Sequence, residues 1–171
     1  MGFGLGLYGI FIALFAYRLF FFDVGPDDIT PLLWVVMGAA AISTNAGSVL
    51  IAAESGMTFL QAMRPFIDGV TLSMWAWATW WIPLLVFLGI WKHGVRQVPL
   101  TYTPMLWSLV FPLGMYALAS QRLSLAADFP PLSGISHVMV WVALAAWAAT
   151  AAGLIAASWK SVRDFKPSSV P

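Results

Sequence analysis

Few residues in this chain have side chains suited to metal binding or catalysis. The two histidines, His93 and His137, are the candidates for haem, because paired imidazoles on two helices hold haem in membrane cytochromes. They lie at the ends of different apolar stretches, a membrane thickness apart, so one iron cannot bind both. The chain has no cysteine, which excludes disulfides and thiolate sites. We therefore expect no metal and no cofactor.

Groups for acid–base or nucleophilic catalysis are equally scarce. The sequence has no His-x-x-x-His motif and no pair of carboxylates within an apolar stretch. A hydrolase or transferase needs a nucleophile activated by a neighbouring group. The net charge is +1 and no basic run is present, so no nucleic-acid partner is expected. The sequence does not indicate an enzyme.

The charged residues near apolar stretches have structural interpretations. Arg18 is one turn from the end of the first stretch, so its side chain can extend to the membrane surface. Arg64 and Asp68 have the four-residue spacing of a helical ion pair or cap, with a substrate site as the alternative. Glu54 follows the second stretch and is expected to be a solvated loop residue, with the tuning of ion entry as the alternative.

Five apolar stretches position all of these residues. Of the 171 residues, 61% are hydrophobic and 9% are charged, whereas about a quarter are charged in a soluble domain. About 20 helical residues cross the hydrocarbon core of a bilayer, and no stretch alternates as a barrel strand does. We predict an all-α integral membrane protein, surrounded by the lipid bilayer, with five transmembrane helices in one domain (1–158). The helices are expected at about residues 2–22, 32–53, 70–91, 104–120 and 134–158.

The distribution of Lys and Arg predicts the orientation of these helices, because cytoplasmic loops carry the excess of basic residues. Arg64 and Arg122 fall on one side of the membrane. The opposite side carries Arg18, Lys92, Arg96, Lys160, Arg163 and Lys166. The N-terminus is therefore predicted outside, and the C-terminus inside with a cytoplasmic polar tail at 159–171. We expect a bacterial-type inner (plasma) membrane.

The second predicted helix consists of small and weakly polar residues, MGAAAISTNAGS at 37–48. Small residues recur every four positions on one face, and hydroxyls form the adjacent row: Ala39, Ser43 and Gly47, then Thr44 and Ser48. One interpretation is close helix packing through a small-xxx-small pattern. The other is a pore lining, in which small side chains leave room and hydroxyls offer hydrogen bonds. Both can hold on different faces.

Two prolines fall inside predicted helices, Pro83 and Pro112. Each removes one backbone hydrogen bond and favours a kink, which neighbouring helices can tolerate in a membrane. Phe111 directly precedes Pro112, and Gly114 follows two residues later. An aromatic ring at a kink could protrude into a passage and close it by sterics and dewetting. The alternative is an ordinary packed side chain.

Three segments together are similar to the tellurite-resistance/dicarboxylate transporter family. They are residues 37–48, Ala78–Pro83 (ATWWIP) and Tyr102–Tyr116, where YTP, WS and FPLGMY occur. The family includes bacterial tellurite-resistance membrane proteins, fungal malic acid and sulfite transporters, and plant guard-cell slow anion channels. The resemblance extends from the first helix to the fifth, and its third segment is the most specific. It implies transmembrane passage of anions, either C4-dicarboxylates such as malate or small inorganic anions.

The resemblance also implies a fold. Family members have ten helices in five hairpins around a central pore and assemble as trimers, so a homotrimer is expected of the complete protein. The five helices here look like helices six to ten, which agrees with the predicted orientation. The odd-numbered helices line the pore, so the second and fourth helices here would line it, with Phe111 as the gate. The implied pore-lining residues are Ser43, Thr44, Gly47, Ser48, Ser108 and Met115.

The chain departs from the family in lacking the first five helices. We expect either a C-terminal fragment of a longer protein or a half-size protein that pairs with a second subunit. The implied mechanism is passive or gated passage, because the sequence has no ATP motif and no buried carboxylate for a proton relay. With no Lys or Arg expected in the pore wall, helix-kink dipoles and hydroxyls would attract anions weakly. The alternatives are a non-transporting interaction or anchor subunit, a non-functional fragment and, less favoured, a redox membrane subunit.

Overall fold

The computed structural model of the chain describes residues 2–53 and 58–164. Within these ranges it contains α-helices and short helical turns and no strand, so the all-α prediction is confirmed. The helices are α1 Gly2–Phe21, α2 Trp34–Ala52, α3 Thr58–Ala62, α4 Arg64–Ile90, α5 Trp107–Ala126 and α6 Pro131–Asp164. Single 3₁₀ turns, Pro31–Leu33 and Pro104–Leu106, precede α2 and α5, and a π-helical turn, Trp91–Val95, follows α4.

Four of the five predicted membrane helices are long and apolar enough to cross a bilayer. They correspond to Gly2–Leu19, Pro31–Ala52, Arg64–Val95 and Pro131–Arg163. The fifth, α5, has 20 residues, but its composition is more polar. Helix α6 continues to Asp164, into the segment predicted as a tail. Glu54 and residues 165–171, with Lys166, lie outside the described residues.

Helix α2 is central in the bundle. It packs along α4 on one side and along α5 on another, and α5 in turn packs along α6. Small side chains on α2 allow this close approach. The buried apolar core joins the three helices at Val36, Met37, Ala40 and Ala41 of α2, Ala78, Trp81 and Leu85 of α4, and Leu113, Tyr116 and Ala119 of α5.

Helices α2 and α5 begin with the same short motif, Thr-Pro-x-Leu-Trp, at 30–34 and 103–107. In both copies the threonine is extended and the proline begins the 3₁₀ turn, where its missing N–H costs nothing. The two turns lie in contact. Further along, Gly38 packs against Pro112, and Asn45 is bonded to Arg122. The two helices therefore start side by side and run in the same direction.

Hydrogen bonds of buried hydroxyl and indole groups connect the helices. Trp75 Nε1 of α4 donates to Ser120 Oγ of α5 at 2.9 Å, and Ser136 Oγ of α6 donates to the Ala117 carbonyl of α5 at 2.8 Å. Thr79 Oγ1 and Tyr116 OH are 2.7 Å apart. Interhelical hydrogen bonds in membranes contribute about 0.6–2 kcal/mol each. These bonds orient α5 between α4 and α6.

Helix α1 reaches the bundle through long side chains. Tyr8 OH donates to the Val36 carbonyl of α2 at 3.0 Å and accepts from Trp77 Nε1 of α4 at 2.9 Å. The Phe15 ring meets the Trp81 ring edge-on, with centroids 5.7 Å apart. A single phenol thus connects three helices.

We expect Tyr8→Phe to lower the free energy of unfolding by about 1 kcal/mol, because it removes both hydrogen bonds and keeps the ring. The measurement is unfolding in mixed micelles with increasing dodecyl sulfate. The matched control is Tyr17→Phe on the same helix, because Tyr17 is 57% exposed and contacts Phe21 and Phe22 through its ring. Equal stability of the two variants would show that the phenol hydroxyl does not anchor α1.

Candidate functional site

One side of α5 is left uncovered by the helices around it. We call this the open face of α5; it consists of Phe111, Gly114, Leu118, Arg122 and Leu125, all exposed. Spacings of three and four residues place them on one side of a helix. The opposite side of α5 is buried against α2, α4 and α6.

Phe111, the predicted gate, is the most N-terminal residue of the open face. Its side chain is 58% exposed, whereas its neighbour Pro112 is fully buried against Gly38 of α2. A Cβ at Gly38 would lie 2.9 Å from Pro112 Cγ, so this contact fixes the rotation of α5 beside α2. The rotation turns the Phe111 ring away from the packed core. The ring is therefore exposed within the described part of the chain, and its role as a gate stays a prediction.

The other two predicted pore residues of α5, Ser108 and Met115, lie at the border of the open face. Both are half-buried. Ser108 Oγ donates to the Met105 carbonyl, and Met115 packs against the buried core. Gly114 directly precedes Met115, and no atom lies within 4 Å of where a Cβ on Gly114 would stand. The face has room beside the Phe111 ring.

The predicted pore residues of α2 are distributed differently. Thr44 and Ser48 are buried, and their hydroxyls donate to the carbonyls of Ala40 and Thr44 at 3.0 and 2.9 Å. Gly47 is buried against Thr71 of α4. In this chain these three residues pack between helices and do not lie on an uncovered side, because their small size is used for close helix approach.

Ser43 is intermediate between these two situations. It is half-buried, and its hydroxyl donates to the Ala39 carbonyl at 3.0 Å. The exposed side chains of α2 are instead apolar, among them Val35, Ile42 and Val49. The hydroxyl row therefore contributes to packing, and the uncovered side of α2 is mainly hydrophobic.

Both interior prolines lie within helices that continue past them. Pro83 is an exposed residue of α4, and Pro112 is a buried residue of α5. Pro112 has a second role that its position in the sequence does not reveal. Its ring packs directly against Gly38 and so brings α2 and α5 into close contact.

The charged residues near the helix ends form local contacts, of which the Arg64–Asp68 pair was predicted and those of Arg18 were not. Arg64 Nε and Asp68 Oδ1 form an ion pair at 3.1 Å, as the four-residue spacing predicts. Arg18 pairs with Asp28 at 3.0 Å and also donates to the Asp23 carbonyl. Exposed pairs of this kind contribute little to stability. Among residues 2–53 and 58–164, no three His, Cys, Asp or Glu side chains form a group that could hold a metal.

Arg122 is the residue of the open face that sequence reasoning missed. It entered the prediction only as one of two basic residues on the outer side. In the structure its Nη1 donates to Asn45 Oδ1 of α2 at 2.9 Å, on the same side of α5 as Phe111. The spacing of eleven residues, three helical turns, was the available signal. It could be used only once the uncovered side of α5 was known.

Comparison with known proteins gives one matching family model and several relatives. The model, described as voltage-dependent anion channel, matches residues 1–155. An uncharacterized membrane protein of Mycobacterium tuberculosis is 42% identical over 139 residues, which are 81% of this chain and 70% of that protein. Two uncharacterized transporters of Methanocaldococcus jannaschii are 24% and 23% identical over 149 residues. Those residues are 87% of this chain but 41% and 42% of the archaeal proteins. No solved structure matches the chain.

Proposed function

The chain belongs to the voltage-dependent anion channel family, and we propose that it conducts anions across the membrane through a passage lined by α2 and α5 and gated by Phe111. The family match supports anion transport, and the names of the archaeal relatives support transport in general. Membership of a channel family points away from catalysis. The choice of Phe111 as the gate and the kind of anion that crosses depend on the geometry of α5.

The observation that carries the proposal is the exposed Phe111 ring on the side of α5 that α2, α4 and α6 leave uncovered. Helix α5 packs against α2, α4 and α6, so its open face is directed away from the described bundle. Helix α5 carries Arg122 on this face, and it is not among the four helices that are long and apolar enough to cross a membrane by length and composition. Charged residues in a membrane face a protein interior or water in preference to lipid. Water-accessible surroundings therefore suit the Arg122 end of this face better than lipid does.

The passage needs further inner helices, since α2 and α5 form only one part of a wall. The archaeal transporters are more than twice as long as the matched region, whereas most of the mycobacterial protein is matched. Relatives of both long and short kinds thus support two ways of completing the wall. The helices that complete the wall come either from an N-terminal half or from a second subunit. The complete assembly is a trimer. It lies in a bacterial-type inner membrane, with the N-terminus of this chain outside.

The proposed mechanism is passive. With the gate displaced, anions cross along the open face of α5, and the transported species are C4-dicarboxylates such as malate or small inorganic anions. Weak binding along the wall favours conduction, because an ion held tightly would not leave. The Phe111 ring closes the passage by occupying it and by excluding water from a narrow apolar segment.

The test is anion efflux from proteoliposomes that contain the chain in its complete assembly, with the helices that finish the wall, together with potassium chloride and a potassium ionophore. We expect chloride efflux above that of protein-free liposomes, with malate or nitrate replacing chloride in parallel samples. Phe111→Ala is assayed beside the wild type, since a closed gate would silence the latter. If neither folded protein releases any of the three anions, the proposal is wrong and a non-transporting membrane subunit is favoured.

A further inference from the structure

The guanidinium of Arg122 lies exposed at the far end of the open face of α5. Its hydrogen-bond partner is the neutral amide oxygen of Asn45, 2.9 Å from Nη1. No carboxylate of residues 2–53 and 58–164 forms an ion pair with it, whereas Arg18 pairs with Asp28 and Arg64 with Asp68. A full positive charge is therefore held by a dipole and is not neutralised within the described part of the chain.

The hydrogen bond to Asn45 also leaves most of the guanidinium available. An arginine has five N–H donors in a rigid planar fork, and Asn45 uses one of them. Asn45 itself retains an amide NH₂ group beside the same site. The fork matches two oxygens of a carboxylate or of a planar oxyanion. Among the described residues, the arrangement presents donors and positive charge without a carboxylate paired to them.

The surroundings of Arg122 offer space for a small ligand. A groove of about 640 Å³ between α2 and α5 is lined by Arg122 and by mainly small or apolar residues: Ser48, Val49, Ala52, Ala53, Leu125 and Ala126. An apolar lining lowers the local dielectric response and so strengthens the attraction between a guanidinium and an anion. Within a helix, Phe111 and Arg122 are separated by about 16 Å at 1.5 Å per residue.

From these observations we propose that Arg122 and Asn45 form an anion-binding site at the outer mouth of the passage for small monovalent anions, chloride as well as those with one carboxylate or oxyanion group. The role of this site as the entrance to a passage gated by Phe111 rests on the proposed function. The binding of an anion by Arg122 and Asn45 does not require that the chain conducts. The site replaces the expectation of a wall without basic residues. It concentrates anions at the entrance, while Phe111 controls passage further along α5.

The test measures chloride binding to the purified full chain in detergent micelles by ³⁵Cl NMR line broadening, with acetate and nitrate as competitors. We expect excess broadening for the wild type, displaced by both competitors. Arg122→Gln is expected to remove it. Arg64→Gln is the matched control, because Arg64 is also on the predicted outer side but is paired with Asp68; it is expected to keep the broadening.

Asn45→Asp separates binding from packing. The substitution preserves size and places a carboxylate 2.9 Å from the guanidinium, so the α2–α5 contact is kept as an ion pair while the charge is neutralised. A purely structural Arg122 would tolerate this change. We expect Asn45→Asp to stay folded and to lose the chloride broadening, even if Arg122→Gln fails to fold.

The outcomes for this site and for transport can be distinguished. Wild-type broadening retained in folded Asn45→Asp or Arg122→Gln, or no excess broadening in the wild type, would overturn the site. Efflux from liposomes that persists in that case would leave the proposed transport intact. Conversely, broadening that depends on Arg122 in a protein without efflux would support the site and contradict conduction.

Discussion

Replacing Phe111 with alanine is expected to raise anion efflux from proteoliposomes about tenfold or more. The ring is 58% exposed on the open face of α5, so its removal clears a passage without emptying a packed core. A steric and dewetting barrier lowered by about 1.4 kcal/mol is sufficient for a tenfold increase. Phe111→Leu, which keeps an apolar side chain of intermediate size, should give a smaller increase.

The matched control is Phe87→Ala. Phe87 is a phenylalanine of nearly the same exposure, 62%, but it belongs to α4 and not to the open face of α5. Its substitution should leave efflux unchanged, since a lipid-facing ring closes no passage. Equal efflux from wild type and folded Phe111→Ala would remove Phe111 from the gate role. A parallel rise in both variants would indicate leakage through a loosened bundle.

The positions of the long helices followed from hydropathy, but their ends did not. The third stretch was predicted at 70–91, whereas α4 and its π turn extend from Arg64 to Val95. The hydrocarbon core sets the apolar length, and a helix can continue through the polar interface beyond it. The ion pair of Arg64 with Asp68 lies in one such extension, and Lys160 and Arg163 at the end of α6 lie in another.

The face that each residue occupies was harder to predict than its helix. A row of small hydroxyl residues is compatible with either a pore wall or a packing surface, because a hydroxyl in a helix can always bond the carbonyl one turn earlier. Thr44 and Ser48 do so and are buried. The deciding fact is tertiary: α4 covers one side of α2 at Gly47, and α5 covers another at Gly38.

The candidate site combines a predicted residue with one that required the structure. Phe111 was identified from its place beside a proline and from the family resemblance, and it does lie on an uncovered face. Arg122 could be recognised only through its bond to Asn45, a residue 77 positions away in the sequence. Contacts over such separations are not contained in the spacing of residues along one helix.

The contact of Gly47 with Thr71 leads to the largest expected effect on stability. A Cβ added at Gly47 would clash with Thr71 Oγ1 and would come within 2.9 Å of its Cβ and Cγ2. Thr71 cannot easily move aside, because it is β-branched and fully buried, and its hydroxyl donates to the Ile67 carbonyl at 2.6 Å. Gly47→Ala therefore forces α2 and α4 apart and should cost about 2–3 kcal/mol.

The control for this substitution is Gly69→Ala in α4, where no atom lies within 4 Å of the added Cβ. There the change should be neutral or stabilising by up to about 1 kcal/mol, because alanine favours a helix more than glycine does. Unfolding in dodecyl sulfate would compare the two variants at the same detergent composition. The clash lies between α2 and α4 and not at α5. A destabilised Gly47→Ala variant that still binds chloride through Arg122 would therefore show that the anion site depends on α2 and α5 alone. Equal stability of the two glycine variants would mean that α2 and α4 are not in close contact at Gly47.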